Sequence, residues 1–317
     1  MEAFIRGCAW EGTSDVPYPR ADPADAARLP GDTWAAAQLP VGVRLEFIGD
    51  APAVEIEYRT MTDDLGHRGE GGGRRFELWR DGLCVSAVPA VLGAGVARLA
   101  TGVGTGRCVV YLPEGMRPTL FSLSATGGAI EAAPPQRRWL VYGDSIAAGW
   151  VASGPSSAWP AVAGRALDVD VVNCGYAGSA RGEVASAEQL AAIPADVISI
   201  SHGTNCWKLT PHSAAMVAAG LDAFLTVLRQ GHPSTPIVVV SPVVRPDAEA
   251  TPNRLGATLA DLRAALEEVA SARGDVTVLP GRALLDADLL ADGIHPGDEG
   301  HRILAAAVGD AVEDALA

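Results

Sequence analysis

The chain has 317 residues, 48% hydrophobic and 20% charged, which suits a water-soluble globular protein with enough length for two ordinary domains. Its formal net charge of −14 argues against nucleic acid and anionic membrane surfaces as partners, because both bind through basic patches. No apolar run approaches the roughly eighteen residues of a membrane span. The stretch from Met1 to Gly12 lacks the basic start and apolar centre of a secretory signal, which points to the cytoplasm; had a signal been trimmed, the protein would be secreted. Cys8, Cys84, Cys108, Cys174 and Cys206 are odd in number and contain no CxxC pair. They suggest neither a disulfide framework nor a zinc site, and packing is the expected role.

The first part of the chain reads as all-β. Residues 43–48 form a first strand candidate, and in 53–59 Val54, Ile56 and Tyr58 alternate with Glu55, Glu57 and Arg59. Such alternation means one buried and one wet face. Residues 76–80 and 83–88 flank Asp81-Gly82, a hairpin turn signal. Strands over 107–112 and 119–123 complete a pattern of short strands separated by turns, which indicates a β-sandwich of jelly-roll type. The glycine-rich stretches 69–75 and 102–106 lead into strands rather than helices, so they are expected to be loops and not phosphate cradles. Residues 132–138, with Pro134-Pro135, look like a linker. The expected division is a sandwich over 1–133 and a second domain over 134–317.

Beyond the linker, strands and helices alternate. Trp139 to Tyr142 form an apolar run that enters Gly143-Asp144-Ser145, and Ile146 to Gly149 can begin a helix. Strands are expected at 169–173, 197–201, 237–241 and 276–279. Helices are expected at 158–167, 213–229, 253–273 and 301–316. In the third helix Leu255, Leu259, Leu262, Leu266 and Val269 recur at helical steps. This order implies a parallel sheet covered on both faces, a three-layer α/β/α domain.

Polar residues gather where such a sheet presents its carboxyl edge, the usual place for chemistry in open α/β folds. Ser145 becomes a nucleophile once a base takes its proton. His295 is the natural base, and Asp292, three residues earlier, can hold its tautomer. The Ser145 and Gly178 N–H groups and the Asn205 amide can stabilise an oxyanion. Singly, each has a plainer use: Asp144 or Ser145 caps a helix, Asn205 makes a turn, and Gly178 supplies a positive φ. Their joint occurrence favours a catalytic site. His202, His212 and His232 lack such ordered partners.

This set resembles the SGNH, or GDSL, hydrolase family. The first block matches Gly143-Asp144-Ser145-Ile146, the second Gly178, the third Gly203-Thr204-Asn205, and the fifth Asp292-Gly293-Ile294-His295. The resemblance covers about 137–317 and implies a flavodoxin-like sheet, an acyl-enzyme on Ser145, and no cofactor or metal. Cys206 departs from the pattern, since the family's Asn is often followed by Asp. The sandwich in front is similar to the arrangement in type-two carbohydrate acetyl esterases. That analogy implies a serine esterase acting on short, chiefly acetyl, esters of a carbohydrate or small molecule. Acyl transfer to a hydroxyl, or a silent carbohydrate-binding protein, are the alternatives. Trp150 and Trp207 are candidate substrate contacts; Trp159 is nearby and, with at least one of these, suits core packing better.

Overall fold

The structure is a computed structural model and describes residues 1–63 and 73–317. Its antiparallel part contains β1 (Ile5–Arg6), α1 (Gly31–Ala37), β2 (Arg44–Gly49), β3 (Ala53–Thr60), β4 (Arg75–Arg80), β5 (Leu83–Pro89), β6 (Gly93–Ala100), β7 (Cys108–Tyr111), β8 (Pro118–Thr126) and β9 (Ile130–Ala132). One sheet has the order β1-β2-β7-β4-β5, with β9 also on β2; the other is β6-β3-β8. The alternation in β3 does its expected work: Val54, Ile56 and Tyr58 enter a core with Phe47, Phe76, Leu78 and Leu99. The short β1 and β9 were not legible as strands, nor was the longer β6, Gly-Ala-Gly-Val-Ala-Arg-Leu-Ala, which is held by pairing with β3 rather than by strong β-formers. The stretch 102–106 is a loop, as expected, while Gly69 to Gly72 of the other glycine-rich stretch lie outside the described residues.

The parallel part contains β10 (Arg138–Gly143), α2 (Trp159–Leu167), β11 (Asp170–Gly175), α3 (Val184–Ala191), β12 (Val197–Ser201), α4 (Ala214–Gly231), β13 (Ile237–Val240), α5 (Leu259–Arg273), β14 (Thr277–Leu279) and α6 (Asp298–Leu316). Its five strands run in the order β11-β10-β12-β13-β14. Counted from β10 this is 2-1-3-4-5, the flavodoxin-like order. Alternate residues of β10 serve two cores. Leu140 and Tyr142 join Phe224 and Leu221 of α4 and Leu262 and Leu266 of α5. Trp139 and Val141 face Trp159 of α2 and Leu304, Val308 and Val312 of α6. A strand buried on both faces reads as a continuous apolar run, and that is how 139–142 reads.

Two expectations need correction. Residues 145–150 form a run of turns and not a helix. Gly149 and Val151 both take positive φ, which a right-handed helix does not permit. The third helix starts at Leu259 rather than 253 because Thr258 and Asp261 form a capping box. Asn253 instead folds the preceding segment by accepting from the N–H groups of Leu255 and Ala257, and Leu255 is left 52% exposed. Helices α1 and α3 were missed altogether. Among the described residues, no helix is long and apolar enough to cross a membrane.

The antiparallel part covers the open edge of the parallel sheet at β11. Arg44 of β2 is buried and donates to the Val171 carbonyl at 2.9 Å and to Asp170 Oδ1 at 2.9 Å, while its Nε donates to Glu46 at 2.7 Å. An edge strand's carbonyls are thereby satisfied and shielded from strand addition. The N-terminal segment also crosses over. Ala21, Leu29, Ala36 and Ala37 pack into the α3–α5 side of the parallel sheet.

Candidate active site

The carboxyl ends of three strands lie level, with Gly143 in register with Gly175 on one side and Ser201 on the other. The loops that follow carry Ser145, Gly178 and Asn205. Ser145 leaves β10 in a turn that Asp144 organises: its Oδ1 accepts the Ile146 N–H at 2.9 Å. Asp144 is buried, and burial pushes its carboxyl pKa up. The far side of the turn is held by Asn173, whose amide donates to the Ala147 carbonyl at 2.8 Å.

His295 comes from the turn before α6. The Ser145 Oγ lies 2.8 Å from His295 Nε2, and His295 Nδ1 lies 2.7 Å from Asp292 Oδ2. An ionised carboxylate can only accept, so Nδ1 carries the ring proton and Nε2 presents its lone pair to the Ser145 hydroxyl. Asp292 also closes its own turn: Oδ1 accepts from the N–H groups of Ile294 at 3.0 Å and His295 at 2.7 Å. Gly293 permits this with φ +82, a value costly for other residues. Burial acts to raise the Asp292 pKa, but these three hydrogen bonds outweigh it and hold the carboxyl below its ordinary value of 3.8.

Gly178 lies in the loop after β11 with φ +76, and a Cβ there would stand 3.9 Å from the Leu209 side chain. Leu209 is 59% exposed and escaped the sequence reading, where it was one apolar residue in a polar loop. Asn205 is buried in a short 3-10 turn, and its Nδ2 donates one of two N–H bonds to the Ser179 carbonyl at 2.5 Å.

The three tryptophans separate. The Trp150 ring lies 6.0 Å from the His295 ring, centroid to centroid, tilted by 37°. Trp207 donates to the Thr251 carbonyl at 2.8 Å, and Arg245 lies over its ring at 5.0 Å. Trp159 is buried against Trp139 at 5.7 Å, in the core. Burial pushes the Cys174 and Cys206 thiols up to about 11 and about 12, so neither is an activated nucleophile at neutral pH.

An open parallel sheet of this order, with these loops at its carboxyl edge, is the frame of an SGNH-type α/β hydrolase. The GDSL-like lipase/acylhydrolase family matches residues 141–303, just over half the chain, and the protein belongs to that family. Solved structures extend the likeness to the antiparallel part. A salicylyl-acyltransferase, SsfX3, from a tetracycline biosynthetic pathway is 25% identical with a TM-score of 0.84, over 98% of this chain and 94% of its own. A GDSL-like protein from Bacteroides ovatus is 22% identical with a TM-score of 0.79, over 98% and 95%. A family two carbohydrate esterase from Clostridium thermocellum, solved with cellohexaose, is 14% identical with a TM-score of 0.64, over 86% and 92%. The last two carry the fold alone. No curated protein matches the chain.

Proposed function

We propose that this acylhydrolase works through an acyl-enzyme on Ser145 and cleaves short esters, with acetate as the acyl group, of a carbohydrate or small molecule. The observation that carries this reading is the continuous relay from Ser145 Oγ through His295 to Asp292, at 2.8 and 2.7 Å. Ser145 Oγ attacks the ester carbonyl as His295 Nε2 takes its proton. The oxyanion so formed is met by the Ser145 and Gly178 N–H groups and the second N–H bond of Asn205. Collapse expels the alcohol, which takes the proton from His295. Water, deprotonated by the same nitrogen, then releases the acid and restores Ser145. Trp150, beside His295, is the proposed wall for the leaving alcohol. Trp207, already engaged by Arg245 and Thr251, is the weaker substrate contact of the two.

Acyl transfer is a second reading, favoured by the likeness to the salicylyl-acyltransferase over nearly the full length of both chains. There an alcohol would replace water in the second step. The test is hydrolysis of chromogenic acetate, butyrate and octanoate esters by the wild type and Ser145→Ala, with and without an added alcohol. Wild-type rates that fall with chain length, and a loss of about a thousandfold or more in the variant, are expected. Equal rates in both proteins would remove Ser145 as nucleophile. A new ester formed faster than acid is released would select transfer.

A further inference from the structure

One carboxylate outside the four sequence blocks gathers the loop that carries Gly178. Glu183 stands immediately before α3 but does not cap it with its side chain. Its Oε2 accepts from the Tyr142 hydroxyl at 2.7 Å and the Arg181 backbone N–H at 3.0 Å. Its Oε1 lies 3.2 Å from the Ser179 hydroxyl and 3.4 Å from the Thr33 hydroxyl, and accepts a proton from this pair. The side chain is only 13% exposed, so these bonds compete little with water.

The partners lie on three separate parts of the chain. Tyr142 belongs to β10, three residues before Ser145. Ser179 and Arg181 belong to the loop after β11. Thr33 belongs to α1, where its hydroxyl also makes a short hydrogen bond with Ser179 Oγ. Next to it, Asp32 receives both terminal nitrogens of Arg181, at 2.8 and 2.9 Å. The loop itself alternates handedness, with positive φ at Gly178, Ala180 and Gly182, and so cannot be held by a regular backbone ladder. A side chain must do that work. The Tyr142 hydroxyl and the Arg181 N–H donate, and the Ser179–Thr33 hydroxyl pair, bonded to each other, has one further proton to give; a carboxylate, which only accepts, suits these donors where an amide would turn an NH2 group toward one of them.

We propose that Glu183 is a positioning residue for the oxyanion hole, clamping the Gly178 loop between β10 and the N-terminal α1. The chain of contacts reaches both side donors: the loop carries the Gly178 N–H, and the Ser179 carbonyl takes one N–H of Asn205. Residues near the start of the chain thereby serve a site built from its other end. This inference rests on the oxyanion roles given above to Gly178 and Asn205.

The test uses the full chain as wild type, Glu183→Gln and Thr33→Val, and reads hydrogen exchange alongside kinetics. In Glu183→Gln, exchange across residues 176–183 should quicken about tenfold while the central strands stay protected. Acetate-ester kcat should fall about 10- to 100-fold with KM within about twofold, part of what losing an oxyanion donor costs. Affinity for an alkylboronic acid, which mimics the tetrahedral intermediate, should fall by a similar factor. Thr33→Val should show the same pattern more weakly, and it carries the test if Glu183→Gln fails to fold. Unchanged exchange in this loop, or a lower melting temperature with unchanged kcat, would overturn the clamp. Failure of the Ser145 chemistry would show separately, as ester hydrolysis undiminished in Ser145→Ala.

Discussion

At the scale of single residues, Asp292 does two jobs with two oxygens. Oδ1 shapes the turn and Oδ2 orients the imidazole, so loss of charge and loss of shape can be separated by an isosteric change. Asp292→Asn keeps the volume but turns an amide toward Nδ1, favouring the wrong tautomer. We expect kcat to fall by about 10² to 10⁴ between pH 6 and 8, with the melting temperature little altered. Steady-state kinetics and thermal unfolding on the same sample check this. The sign of the pH effect follows from the lowered pKa: the stabilisation it reports is complete above the ordinary value of 3.8 and lost as pH falls through the lower folded value. An Asp292 contribution to the acid limb above pH 5 would contradict that. Cys206 shows how a departure from a family pattern is absorbed. Its side chain lies in the apolar core beside α4 and α5, where the pattern often has a charged Asp.

At the scale of elements, local capping chemistry overrode periodicity. Leucine spacing runs smoothly from Leu255 to Leu266, yet the helix begins where Thr258 Oγ1 accepts the Asp261 N–H at 3.1 Å and Asp261 accepts the Thr258 N–H at 2.9 Å. A helix extended back to 253 would forfeit this reciprocal pair and the Asn253 turn before it. Thr258→Ala should therefore destabilise the protein by about 1 kcal/mol, read from urea unfolding, with kcat unchanged. A change below about 0.3 kcal/mol would mean that packing of Leu259 and Leu262 alone sets the helix start. The turn after β10 teaches the same lesson. Its small residues are compatible with a helix, but close packing under Asn173 and the positive φ at Gly149 bend it into turns that leave Ser145 at the sheet edge.

At the scale of the whole molecule, burial creates a weakness to acid. His202 is 4% exposed between Tyr142 and Phe224, and neither ring nitrogen has a hydrogen-bond partner. Burial, opposed by Glu183 and aided by His212, pushes its pKa down from 6.5 to about 4. Between those values the unfolded chain binds the extra proton, so stability drops as pH falls from 6.5 toward 4, by about 3 kcal/mol in all. His202→Phe, apolar and of similar shape, should lose much less stability between pH 7 and pH 4.5 than the wild type. Urea midpoints at the two pH values measure the difference, and equal acid losses would rule His202 out as the cause. We propose residues 1–133 and 134–317 as the two units of the chain. Arg44 and the segment from Ala21 to Ala37 bind them into one structure.

The sequence alone determined the change from an antiparallel part to alternating strands and helices, and placed the five parallel strands, because apolar period and β-branched runs are local signals. It also marked out the proposed reacting side chains, because Ser145, Gly178, Asn205, Asp292 and His295 fall within short blocks at the carboxyl edge of the sheet. Only the tertiary structure decided what surrounds them. Glu183 reads in sequence as one acid among many, and its partners Thr33 and Tyr142 are 150 and 41 residues away. The N-terminal helix, the cover over β11 and the solitary burial of His202 depend likewise on contacts between distant segments. No local pattern encodes such contacts, since each partner alone is satisfied equally well by water until folding removes it.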